Sequence, residues 1–276
     1  MTVPSRVLND GNSLPQLGLG TYKLDDGEGV AAMVSALESG YRLLDTAVNY
    51  GNEEAVGEAL RRSGVDRSDV VVATKVPGRD HGFDETLASL EGSLERLGLD
   101  WVDLYLIHWP NPSVDRYVDA WRAMIKARER GMVRSIGVSN FTVGHLARII
   151  DETGVVPAVN QVELHPYFAQ RAQREFHAEH GIATESWSPL ARRSELLSEP
   201  VVQEAAAAHG RTPTQAVLRW HVQLGTVPIP KSSDAARQRE NLDVFGFELT
   251  PGEMEAISAL ERGRLWDGDP DTHEEM

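Results

Sequence analysis

Short apolar runs alternate with amphipathic stretches along most of the chain. An apolar segment over 17–20 opens the pattern, followed by a helix expected over 29–39, where Val30, Met33, Val34 and Leu37 recur at helical spacing. The alternation continues with a strand over 41–45, a helix over 53–62, a strand over 70–75, a helix over 85–97 and a strand over 101–108. A helix over 115–130, a strand over 133–138, a helix over 143–151 and a strand over 158–162 come next. A helix over 171–180 and a strand over 182–187 precede two helical stretches, 201–209 and 213–224. The last strand is expected over 226–229 and a further helix over 235–242. Each strand is a short Val/Ile/Leu-rich run, as strands covered on both faces must be.

Strict strand–helix alternation means a parallel sheet, and eight units favour an α/β class fold of the (β/α)8 TIM barrel type over an open, doubly wound sheet. An open sheet binding a dinucleotide would carry Gly-x-Gly-x-x-Gly after its first strand. Here Gly18-Leu19-Gly20-Thr21-Tyr22-Lys23 lacks the third glycine, and no Walker-type phosphate loop occurs. Before the barrel, Asn9-Asp10-Gly11-Asn12 lies between apolar positions and predicts an N-terminal β-hairpin. No composition break divides the chain, so one domain over 1–276 is expected. From Trp266 onward the chain carries Asp267, Asp269, Asp271, Glu274 and Glu275 with no Lys or Arg, and this tail is expected to be solvated and partly mobile.

Charge and composition narrow the partners. A net charge of −15 argues against nucleic acid or an anionic membrane surface, both of which attract basic patches. There is no cysteine, which removes disulfides, thiolate metal sites and a cysteine nucleophile. The first residues lack the apolar run of a signal peptide, no stretch is long and apolar enough to cross a bilayer, and a cytoplasmic protein is the expectation. His177 and His180 lie three apart on a polar helix without a third ligand nearby, which reads as a solvated helix face and not as a metal site.

In a barrel of this kind the reactive groups lie at the carboxyl ends of the strands. The second strand ends at Asp45 with Tyr50 just beyond, the third at Lys75, and the fourth at His108 followed by Trp109. Later strands end in Ser139-Asn140, Gln161, Trp187-Ser188 and Lys231-Ser232. Asp45, Lys75 and His108 come from consecutive strands, so they are neighbours at one rim, with Asp45 the counter-ion of Lys75. Two readings stay open at this point. One is a structural ion pair with a hydrogen-bonded histidine. The other is a proton-transfer site in which a cation near the phenol favours release of its proton. A Schiff-base role for Lys75 is disfavoured, because a salt bridge keeps the amine protonated.

Gly40-Tyr-Arg-x-x-Asp45-Thr-Ala-x-x-Tyr50-Gly-Asn-Glu resembles the first signature of the aldo-keto reductases. Lys75, the segment Leu-Ile-His108-Trp-Pro, Ile136-Gly-Val-Ser139-Asn140-Phe and Ile229-Pro-Lys231-Ser232 resemble that family's later motifs, in its order, over about 7–247. The resemblance implies an NAD(P)H-dependent reductase of aldehydes and ketones with Asp45, Tyr50, Lys75 and His108 as its catalytic set. Tyr50 would protonate the carbonyl oxygen, Lys75 held by Asp45 would assist it, and His108 would orient the carbonyl. It further implies that Ser139, Asn140 and Gln161 contact the nicotinamide carboxamide, that Trp187 stacks on the ring, and that Ser188 and Leu190 follow the pyrophosphate. Lys231, Ser232, Arg237, Glu240 and Asn241 match the adenosine end, where Lys and Arg suit the 2′-phosphate of NADPH. Asp234 departs from the pattern, as a carboxylate there would repel that phosphate. Tryptophan at position 187 is similar to the bacterial branch that includes 2,5-diketogluconate reductases. Tyr22, Val48, Trp109 and Trp266 are candidates for a substrate-pocket wall, and the short tail implies an open pocket for small dicarbonyl or keto-sugar substrates. A monomer is the family-derived expectation, and a nucleotide-sensing regulatory subunit is the alternative from a different class.

Overall fold

A computed structural model describes residues 3–192 and 194–276. Strands β1 (Ser5–Val7) and β2 (Ser13–Pro15) form the expected hairpin, pairing Arg6 with Leu14. Its turn closes through Leu8 N–H donating to Asn12 O at 2.8 Å, with Gly11 at φ 88° where a side chain would be strained. Leu8 and Leu14 pack with Leu43, Ala73, Leu104, Leu106, Val159 and Val227. The hairpin therefore plugs the bottom of the barrel.

Eight parallel strands follow in simple order: β3 (Leu19–Gly20), β4 (Leu43–Asp45), β5 (Val71–Val76), β6 (Val102–Ile107), β7 (Val133–Ser139), β8 (Val159–Glu163), β9 (Ala183–Trp187) and β10 (Val227–Pro228). The sheet curls shut between its first and last strands, where Gly18 N–H donates to Pro228 O at 3.1 Å and Gly20 N–H to Pro230 O at 3.2 Å. These seam strands are shorter than their apolar runs suggest, because pairing there is limited to a few residues. Every residue of β4 and β8 is buried, including the polar Asp45, Asn160, Gln161 and Glu163, which departs from the expected Val/Ile/Leu-rich run.

Helices α1 (Gly27–Ser39), α2 (Glu53–Ser63), α3 (Phe83–Leu97), α4 (Tyr117–Glu129), α5 (Val143–Thr153), α6 (Arg171–His180), α7 (Pro200–Ala208), α8 (Pro213–Gln223) and α9 (Ala235–Leu242) surround the barrel. Helix α4 starts two residues later than its periodicity suggests, because Asp115 adopts the left-handed region at φ 52° and cannot continue a helix. One α-helix went unanticipated: α10 (Pro251–Ser258), which carries a reciprocal cap between Thr250 and Glu253 with proline in the first turn.

The acidic tail is not a solvated strand of loose chain. Leu265 N–H donates to the fully buried Glu163 at 2.8 Å, and Trp109 packs on His273 with ring centroids 4.3 Å apart. Asn111 Nδ2 donates to Glu275 O at 2.6 Å, and Ser113 N–H to Glu274 Oε1 at 2.8 Å. The tail thus crosses the carboxyl rim of the barrel, and the expectation of an open pocket fails with it. His177 also departs from its expected solvated face. It is 1 % exposed, with Nδ1 2.8 Å from Thr184 Oγ1 and Nε2 3.0 Å from Asn160 Nδ2, and burial pushes it down to about 4. Only His180 stays outside, stacked on Phe176.

Gly137 lies where β6, β7 and β8 press together. A Cβ there would come within 2.6 Å of Val159 O and 2.7 Å of Leu106 Cδ2. The Gly137→Ala variant is expected to lose about 1–3 kcal/mol of stability, measured as a lower urea midpoint at unchanged slope.

Candidate active site

The deepest group is Lys75, wholly inaccessible inside the barrel. Strand alternation turns it inward from β5, opposite Asp45 at the end of β4. Its ammonium donates to Asp45 Oδ1 and Oδ2, both at 2.8 Å, and to Thr46 O at 2.9 Å. All three of its N–H bonds are thereby satisfied. Burial opposes the charge, but Asp45, Tyr50 and Glu185 outweigh it and hold the lysine above its ordinary value. A Schiff base needs a free amine lone pair, which this amine does not have.

A 3-10 turn, Val48–Tyr50, carries Tyr50 over this pair. Lys75 Nζ lies 5.0 Å from the Tyr50 ring centroid, and the His108 ring stands edge-on to it at 5.7 Å. Tyr22 closes the other side, 5.2 Å from Tyr50. The phenol does not titrate below its ordinary value, as a neighbouring cation alone would make it do. Burial pushes it up, Lys75 pulls it down, and Asp45 and Glu275 add to the upward push. At neutral pH the phenol therefore keeps its proton, as a proton donor must.

Beneath the pair lies a carboxyl that the strand-end reading missed. Gln161 Nε2 donates to Asp45 Oδ1 and to Glu185 Oε2, both at 2.9 Å. Both amide hydrogens are taken up by carboxyl oxygens, so the amide oxygen is the group Gln161 has left to offer. Glu185 is fully buried on β9, and burial beside Asp45 pushes it up to about 8. Its only sequence signal was a charged residue at an inward position of a strand.

The remaining expected cofactor residues form two groups. At the barrel mouth, Asn140 (φ 62°) sends its Nδ2 to His108 O at 3.0 Å and to Ser139 Oγ at 3.1 Å, while its Oδ1 accepts from Trp187 Nε1 at 2.8 Å. Asn140 thus orients Trp187, whose half-buried ring faces Trp266 at 6.5 Å. Ser188, at φ 49°, and Leu190 follow on the turn after β9. At the far group, Lys231 and Arg237 are exposed and form no ion pair among the described residues. Ser232 is buried and binds the backbone of Asp234. Glu240 is tied to Thr212, which donates to it at 2.5 Å, and Asn241 is buried, so these two act from within the fold. Asp234 caps α9, accepting from Arg237 N–H at 2.8 Å, and that bond holds its carboxyl below the ordinary range. No cluster of three or more metal-ligating side chains occurs among the described residues.

Comparison with known proteins agrees with this geometry. Residues 16–262 match the model of the Aldo/keto reductase family. The chain belongs to that family. It is 69 % identical over 274 residues to 2,5-diketo-D-gluconic acid reductase B of a Corynebacterium strain, covering 99 % of both chains. An aldo-keto reductase of a Mycobacterium strain (KMS) is 52 % identical, with 99 % of this chain and 98 % of that one covered. Among solved structures, an aldo/keto reductase from Brucella melitensis is 49 % identical with a TM-score of 0.91, covering 94 % of this chain and all of that one. A variant of Gox0644 solved in complex with NADPH is 44 % identical with a TM-score of 0.94, covering 99 % of this chain and all of that one.

The buried Glu185 makes a pH-dependent contribution with a definite sign. Its folded value near 8 lies above the ordinary 4.5, so the fold holds a proton that the unfolded chain releases. Its contribution is complete below about 4.5 and declines as pH rises toward 8. Glu185→Gln is expected to flatten that decline, read as a smaller loss of urea stability between these two pH values.

Proposed function

We propose that the protein is an NADPH-dependent reductase of aldehydes and ketones, acting on small dicarbonyl or keto-sugar substrates. The observation that carries this reading is the buried, fully satisfied Lys75–Asp45 pair beneath a protonated Tyr50, with His108 beside the phenol. The donor set also fits a phosphorylated dinucleotide, with Lys231 and Arg237 exposed at the start of α9 and the half-buried face of Trp187 at the barrel mouth. When bound, the nicotinamide supplies the hydride for the carbonyl carbon.

The chain's own groups manage the proton and the charge. Tyr50 holds its proton until negative charge builds on the carbonyl oxygen, then donates it. Lys75 stabilises the phenolate left behind, at a separation that burial keeps free of screening water. His108 hydrogen-bonds the carbonyl oxygen and stabilises the charge that develops there. The Gln161 amide oxygen suits the amino group of the carboxamide, and Trp187 presents an aromatic face to the ring. Tyr22, Val48 and Trp109 line the approach for substrate, with Trp109 backed by His273 of the tail. The reading includes one domain over 1–276, working in the cytoplasm as a monomer with no nucleic acid or membrane partner.

Addition of NADPH to the purified protein, followed by methylglyoxal and then 2,5-diketogluconate, tests the reading directly. Oxidation of NADPH on carbonyl addition is expected, whereas binding without turnover on any carbonyl would favour a nucleotide-sensing role. Tyr50→Phe should lower kcat by at least about 10²-fold while leaving the NADPH Kd nearly unchanged, because the lost hydroxyl acts on the carbonyl. Unchanged turnover in this variant would remove Tyr50 as the acid. Asp234→Ser keeps a helix cap but removes a carboxylate beside Arg237. It should tighten NADPH several-fold while moving NADH little, as measured by cofactor fluorescence titration.

A further inference from the structure

The acidic tail brings one carboxylate to the histidine of the site. Glu275 Oε1 lies 2.8 Å from His108 Nδ1. The same oxygen accepts from Asn49 Nδ2 at 2.7 Å, and Asn49 Nδ2 also reaches Met276 O at 3.1 Å. Asn49 Oδ1 accepts in turn from Arg79 at 2.5 Å. Gly78 makes room for the tail backbone, since a Cβ there would strike Glu275 O at 2.2 Å. The carboxylate sits off the axis of the ring N–H, so the contact acts through charge more than through a formed hydrogen bond.

This contact addresses only one of the two ring nitrogens. Nδ1 is buried and faces Glu275, which leaves Nε2 as the nitrogen that could meet a carbonyl oxygen. A neutral imidazole carries one proton, and if Nδ1 holds it, Nε2 has none to give a carbonyl oxygen. A carboxylate oxygen 2.8 Å from Nδ1 calls for a proton on that nitrogen, and only the doubly protonated ring then also has one on Nε2. We propose that Glu275 is a positioning residue for His108, a tail-borne counter-ion that fixes the ring and favours the imidazolium whose Nε2–H meets the substrate oxygen. The proposal rests on the reading of His108 as the carbonyl-orienting group.

The surroundings are consistent with a charged Glu275. Burial pushes its carboxyl up, but His108, Asn49 and Lys75 outweigh burial and hold it below the ordinary carboxylate range. Other charged or titratable groups facing the pair are Tyr50, with Lys75 and Asp45 behind it, and, under the tail, His81 with Asp80, Arg116 and Glu274 around it. Catalytic competence is thereby coupled to tail docking. When the tail leaves, the ring loses its counter-ion.

The test uses the full chain with Glu275→Gln, Glu275→Ala and Glu275→Asp. Glutamine keeps the size and the hydrogen bond with Asn49 but not the charge, so a mere strap would leave Glu275→Gln like the wild type. The proposal expects Glu275→Gln and Glu275→Ala alike to lower kcat on methylglyoxal about tenfold. The alkaline limb of the kcat/KM profile should move to lower pH, the NADPH Kd should stay put, and Glu275→Asp should recover part of the loss. A wild-type pH profile in Glu275→Gln would overturn it, and so would faster turnover, which would make the tail a competitor of substrate. Imidazole 15N shifts of His108 give a readout without catalysis, and the charged fraction at neutral pH should fall in Glu275→Gln. Identical shifts would overturn the proposal. A 15N difference in a wild type that reduces no carbonyl would instead overturn the functional reading and leave the ring–carboxylate coupling standing.

Discussion

An ammonium with no access to water is held at the centre of this barrel by three oxygens, and the rest of the site depends on it. Burying such a charge costs several kcal/mol unless every donor finds a partner. Lys75 meets that condition through Asp45 and Thr46 alone, which requires β4 and β5 to sit in the register that pairs Asp45 with Ala73. Register in turn is enforced by burial, since a slip of one residue would send Lys75 outward and its apolar neighbours inward. The ion pair and the closed parallel sheet therefore presuppose each other. Above them, a 3-10 turn delivers the Tyr50 phenol to a place beside an ammonium that cannot move away.

Three carboxyl groups around this centre sit in three different environments. Asp45 is bound directly to the ammonium. Glu185, one amide away through Gln161, lies in the dry interior and keeps its proton to about pH 8. Glu275 arrives from the tail and pairs with the ring of His108 at the solvent edge. The hydrogen-bonded frame of Asn140, Ser139, Gln161 and Trp187 continues the same order around the mouth, so an aromatic face and an amide oxygen are presented by groups whose other bonds are already made.

The two ends of the barrel divide their duties. At the bottom, the hairpin of β1 and β2 seals an apolar layer, and Asn12 Nδ2 ties it to Ser135 Oγ at 3.0 Å. At the top, loops and tail bring polar groups to the rim, with Asn111 Nδ2 donating to Glu275 O at 2.6 Å and Ser113 N–H to Glu274 Oε1 at 2.8 Å.

The barrel and its reactive rim were legible because they follow from local pattern. Apolar runs at strand length, alternating with helical periodicity, specify the βα units, and alternation within each strand turns Asp45, Lys75 and Gln161 inward. Short signatures around Tyr50, His108 and Asn140 fall at strand ends, where barrel chemistry lies. The same logic misjudged residues whose environment comes from elsewhere in the chain. His177 looked solvated on its polar helix, yet Asn160 and Thr184 from neighbouring strands enclose it. The acidic tail looked unattached, and only folding brought Glu275 to Asn49 and His108, the former 226 residues away in sequence. Periodicity and spacing encode what neighbours in sequence do to one another. Partners that distant are set by the closure of the whole sheet, and the contacts they make belong to the tertiary structure alone.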